Sequence, residues 1–146
     1  MSAPTTDYTD LLQEAIKQAK VNATRAVEDI VRLASKAAVA VTSVTNGQAL
    51  LERVPIKHAG VSNVYQLQLR KAGSKAPPSD LGIYAVTQPG YPVLHWLSRD
   101  NWGDPEMHYP DGEREFTTEE ELDEHFRLLV SDPKSRLVIL VTFFQQ

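Results

Sequence analysis

The residues best suited to chemistry gather in one stretch, Tyr91 to Asp111. It holds His95, Arg99, Asp100, Asn101, Asp104, Glu106, His108 and Tyr109, together with both tryptophans of the chain, Trp96 and Trp102. Imidazole and carboxylate together suit zinc or iron, so His95, His108 and Asp104 form a conceivable metal set. The spacing, however, follows neither HxxxH nor HExxH, and no metal or other cofactor is expected. A calcium loop over Asp100–Asp111 fails as well, because the alternating acidic ligands and the closing Glu are missing. General acid–base work by His95 or His108 with Asp100 or Asp104 would need a pocket that perturbs their pKa values. The chain has no Gly-rich phosphate loop, nucleophile elbow or dinucleotide fingerprint.

The same composition suits a binding loop. Trp and Tyr bury much area while keeping a polar handle, and Gly103 and Pro105 break regular structure between them. Trp96, Asp100, Trp102, Asp104, Glu106 and Tyr109 are therefore the expected partner-binding residues, and no enzymatic activity is expected. The competing reading is a small-molecule- or metal-dependent enzyme or sensor using segment 91–111.

The element with the strongest period lies far from that segment. Leu12, Ile16, Ala19, Ala23, Ala26, Ile30, Leu33 and Ala37 follow a 4-3-4-3 rhythm over more than three heptads, which only a helix can keep. Thr6 or Thr9 is the expected cap, with Asp7 and Asp10 near the positive end of the helix dipole. From Ala26 onward Val27, Val31, Ala34 and Ala38 widen the stripe, so the later half should pack on the protein's own core. The earlier half, narrow in its seam, is expected to project and to pair with a partner through Leu12, Ile16, Ala19 and Ala23, a homodimer being one form of that. Glu28 and Arg32 should pair on the outer side. The helix spans about residues 9–38; the β-branched run Ala38–Val44 suits either its continuation or a first strand, and Asn46-Gly47 turns the chain.

Beyond that turn the period becomes two. Leu50–His58 reads as a strand interrupted by Pro55, which argues for an edge position or a bulge. In Val61–Arg70, Tyr65, Leu67 and Leu69 alternate with Gln66, Gln68 and Arg70, as in a sheet wet on one face. Lys71–Asp80 is a loop, Leu81–Gln88 and Tyr91–Ser98 pair as strands, and Met107–Phe116 forms a last short strand or hairpin. His95 shares its strand face with Tyr91, Val93 and Leu97, which makes a core histidine the plainer expectation. Thr118 and Glu121 form a capping box for a helix near 119–130, with Leu122, Phe126 and Leu129 inward, Asp123 pairing with Arg127, and His125 on an exposed turn. Leu137–Phe144 is apolar on both alternating faces and reads as a final, central strand covered on both sides, by one helix on each face or by a second subunit on one of them. The fold class is thus α+β: a long N-terminal helix, a mostly antiparallel sheet of about five strands, and a second helix near the C-terminus. All 146 residues form a single domain.

Composition narrows the function. A hydrophobic content of 42% and a charged content of 23% suit a globular chain, and the absence of cysteine removes disulfides and thiolate chemistry. The first residues contain no apolar signal segment, and the longest apolar run falls short of the ~20 residues that cross a bilayer, so a cytoplasmic protein without membrane contact is expected. The net charge of −4 divides unevenly: residues 48–99 are basic in balance and 100–146 strongly acidic. No basic stripe is dense enough for nucleic acid. In small size, acidity and lack of cofactor motifs the chain resembles bacterial immunity proteins and secretion chaperones, a likeness that implies action by binding a protein partner.

Overall fold

The structure is a computed structural model that describes residues 7–58, 61–87, 90–96 and 113–145. Helix α1 runs from Tyr8 to Thr45, so the run Ala38–Val44 continues the helix. Its cap is Asp7, not a threonine: the Thr9 N–H donates to Asp7 Oδ1 at 2.9 Å. Asn46 ends the helix in the left-handed region at φ 53°, and Gly47 follows at φ 78°, conformations that Asn and Gly tolerate best. Five strands follow as an antiparallel meander in sequence order: β1 (Ala49–His58), β2 (Val61–Lys71), β3 (Ser79–Thr87), β4 (Gly90–Trp96) and β5 (Glu113–Phe116). β1 lies at the edge of the sheet, one of the two places that Pro55 allows. The chain closes with α2 (Glu119–Ser131) and α3 (Arg136–Phe144).

The last element corrects the expected central strand. A run apolar at every position satisfies a period of two and a period of 3.6 alike. Local caps decide: Ser135 Oγ accepts from the Val138 N–H at 3.1 Å and itself donates to the Leu129 carbonyl at 2.7 Å. Leu137, Leu140, Val141 and Phe144 then pack inward at helical spacing, while Phe143 stays exposed. The expected capping box of α2 is present, with Thr118 Oγ1 accepting from the Glu121 N–H at 3.2 Å and Glu121 reaching back to Thr117.

Both main helices cover the same sheet face, rather than one face each. Ala26, Ile30, Leu33, Ala37 and Val41 of α1 and Leu122 and Phe126 of α2 share one core with Leu51, Leu67, Leu69, Tyr84, Val86, Val93 and Phe116. The alanines let α1 lie close to the strands. Gly90 marks the tightest approach, because a Cβ there would stand 2.5 Å from the Asn22 carbonyl oxygen. The other face is not simply wet. Val64, Ile83, Ala85 and Trp96 form a second buried cluster there, and Gln66 is buried on the same face with Nε2 unpartnered. Of the expected polar row only Gln68 and Arg70 remain partly exposed, held by Asp80 (3.4 Å) and Glu52 (2.6 Å).

Candidate functional site

Two regions compete as the working part of the molecule: the first half of α1 and a cluster of rings beneath α2. The first half of α1 forms a helix for local reasons. Asp7 caps it, Asp10 faces the helix dipole, and Gln18 Nε2 donates to Asn22 Oδ1 one turn on at 3.0 Å. Its apolar stripe stays largely uncovered among the described residues. Leu12 is 62% exposed and Ile16 46%, Ala15 is exposed, and Ala19 is half-buried. Ala23, the fourth residue of the expected pairing surface, is buried within the chain, so the projecting stripe ends there. Tyr8 and Leu11 extend it toward the cap. A helix of this length, about 22 Å at ~1.5 Å per residue, is marginal in water without tertiary packing.

The expected partner-binding loop is only touched by the structure. Asp100, Trp102, Asp104, Glu106 and Tyr109 lie outside the described residues, as does His108. Trp96, the one member described, is 8% exposed and belongs to the second-face cluster, so it supports the sheet from within and does not offer a contact surface. Its position on β4 explains this: Trp96 pairs with Ile83 and points away from the helices. Among the described residues no three His, Asp or Glu side chains gather as a metal site would need.

The ring cluster was only half legible. His95 is buried on the helix side of β4, as its alternation predicts. His125 does not sit on an exposed turn beside Glu121 and Glu124. It turns inward, its ring centroid 4.8 Å from those of His95 and Phe116, and it shares a 2.6 Å hydrogen bond with the Tyr84 hydroxyl. The signal was present: Leu122, His125, Phe126 and Leu129 stand at i, i+3, i+4 and i+7, so His125 belongs to the apolar face.

Gly82 makes the space. A bulge sets Leu81 and Gly82 where β2 offers one partner, and a Cβ on Gly82 would stand 2.5 Å from His95 Nε2. Burial keeps both histidines neutral. It holds His95 well below the ordinary imidazole range, with His125 and Arg114 adding to the effect, and it lowers His125 to about 4, with Arg114 next. Burial likewise raises the Tyr84 phenol, against a smaller opposing effect of Arg114. Among the described residues neither ring nitrogen of His95 has a hydrogen-bond partner. Enclosed by Tyr84, Phe116 and Phe126, the two imidazoles act as a polar part of the core whose neutrality the fold enforces.

A third polar group ties the helices to the sheet. Tyr91 donates to Asp29 Oδ2 at 2.8 Å, and Arg32 bridges Asp29 (3.3 Å) and Glu119 on α2 (2.9 Å). Arg32 thus turns to Asp29 and Glu119 rather than to Glu28. On α2, Arg127 pairs with Glu124 at 3.3 Å rather than with Asp123. The exposed Arg127–Glu124 pair adds little to stability.

No known protein family, characterised protein or solved structure matches this chain significantly. Its function must therefore be argued from these surfaces alone. No helix among the described residues is long and apolar enough to cross a membrane.

Proposed function

We propose that the protein is a small interaction module that acts by docking a protein partner against the first half of α1. One observation carries this reading. The seam that packs the core from Ala23 onward continues without interruption through the half-buried Ala19 to Ile16 and Leu12, which stay exposed among the described residues. Leucine and isoleucine placed in register on a capped helix gain apolar burial only when something covers them. The absence of cysteine fits work in the cytoplasm.

The competing reading, a metal- or small-molecule-dependent catalyst or sensor built on segment 91–111, draws less support from the described part. His95 and Trp96 face opposite sides of the sheet and are each enclosed in a core cluster.

The test is the double substitution Leu12→Glu with Ile16→Glu. Both residues are exposed, so the melting temperature should hold within the span of ordinary surface changes. Complexes of the wild-type chain, trapped by cross-linking in cells and weighed by native mass spectrometry, should disappear in the variant. Complexes that survive the double substitution would overturn the reading. So would a matching fall in melting temperature, which would mark the stripe as part of the fold.

A further inference from the structure

We infer that the partner on this stripe is a second copy of the chain, lying antiparallel to the first with the two-fold axis beside Ala15 and Ile16. The inference rests on the docking role just proposed and adds the partner's identity and orientation.

Side-chain size is the first argument. Along the exposed stripe large and small residues alternate by position: Leu12 and Ile16 are large, Ala15 and Ala19 small. A two-fold rotation about an axis between positions 15 and 16 sets Leu12 against the partner's Ala19 and Ile16 against the partner's Ala15. Symmetry repeats each contact, so four large side chains meet four alanines and the helices can approach closely. A parallel pair would instead set Leu12 against Leu12 and Ala15 against Ala15, leaving one layer crowded and the next void.

Charge is the second argument and is independent of size. Asp7, Asp10 and Glu14 occupy the first part of the segment, and Lys17, Lys20 and Arg25 occupy the part that follows. An antiparallel pair places the acidic part of one helix beside the basic part of the other, with Glu14 level with the partner's Lys17. A parallel pair aligns like charges along its length. These side chains lie mostly away from the seam, and across the pair they stand more than a Debye length of ~10 Å apart, so their orienting effect is weak and confined to low ionic strength. The helix dipoles oppose as well in the antiparallel pair. The contact is shorter than a standard interface of ~1,600 Å², so a dimer in exchange with monomer is expected.

The chain contains no cysteine, which makes disulfide trapping a clean test. Full-length Leu12→Cys and Ala19→Cys variants are mixed under mild oxidation and the products weighed. The antiparallel pair predicts the mixed L12C–A19C adduct severalfold in excess over either homodisulfide. Dominant L12C–L12C adduct would overturn the orientation. Adducts no more abundant than those of a Lys17→Cys control on the outer face would overturn self-association altogether. In that last case, loss of a different protein's binding in the Leu12→Glu, Ile16→Glu chain would leave the docking role intact and refute only the second copy as its partner.

Discussion

The two halves of α1 carry one rhythm and meet opposite fates. From Ala23 to Thr45 the seam is buried against the sheet, with Ala26 and Ile30 fully enclosed; earlier, Tyr8, Leu12 and Ile16 on the same seam are exposed and Ala19 is half-buried. The helix does not weaken at the boundary, and no Gly or Pro marks it. What changes is the sheet, which begins beneath Asn22 and Ala23, where Gly90 touches the helix backbone. A heptad therefore specifies which face of a helix will be covered, and only the rest of the fold specifies by what.

Matched substitutions should break this symmetry most strongly. Ile30→Asp buries an unpaired carboxylate in the core, so loss of cooperative folding, or about 4 kcal/mol or more of stability, is expected in urea titration. Ile16→Asp, two heptads earlier on the same seam, should change stability by less than ~0.5 kcal/mol. Equal losses at the two sites would mean that the early half is packed within the monomer.

The next test concerns the hinge between the halves. Gly90→Ala places a methyl group against the Asn22 carbonyl at a φ of +115°, which side chains rarely adopt. Displacement of α1 from β4 should cost about 2–4 kcal/mol, again by urea titration. An unchanged midpoint would show that the helix does not lie as close to β4 as described.

Acid should separate the halves in a graded way. His125 titrates near 4 when folded and near 6.5 when unfolded, so the unfolded chain takes up the proton first. Its contribution is complete above pH 6.5 and is lost as the pH falls toward 4. The full shift corresponds to roughly 3 kcal/mol at about 1.36 kcal/mol per pH unit. His95, lowered in the same direction, adds to the slope. Hydrogen exchange of residues 24–44 should quicken across that window, while residues 9–22 exchange rapidly throughout in the monomer. His95→Leu should flatten the acid limb, because it removes one titrating group and two unpartnered ring nitrogens. An acid limb as steep as in the wild type would contradict this account.

The smallest effect is expected at the cap. Asp7→Ala removes the acceptor for the Thr9 N–H, a change of about 1 kcal/mol to local helix stability. Because the early half is not packed in the monomer, the melting temperature should stay fixed and only exchange in the first turns should rise. A shift of the whole melting curve would couple that half to the core.

Particular residues show where sequence reading worked and where it stopped. The alternation around His95, the edge proline at Pro55 and the Thr118 box each report a local rule that the fold obeys. The acidic neighbours of His125 suggest a surface turn, whereas its spacing from Leu122 and Phe126 places it inward. Gln66 looked wet by alternation and is buried, since a polar residue on the second face says nothing about what lies over that face. Leu137–Phe144 was ambiguous in principle, because a run without polar residues carries no period.

Local sequence rules settled the existence and amphipathic face of α1 but not its C-terminal end, the strands β1 to β5 in their order, the capped α2, and an acidic chain without cysteine. Those features depend on contacts within a few residues: period, caps and turns. Tertiary structure alone decided that α1 and α2 share one sheet face, that Gly82 opens a place for His95 beside His125, and that the seam outruns the sheet at Asn22. These depend on which distant surfaces meet, and a one-dimensional pattern records that a face must be covered without recording what arrives to cover it.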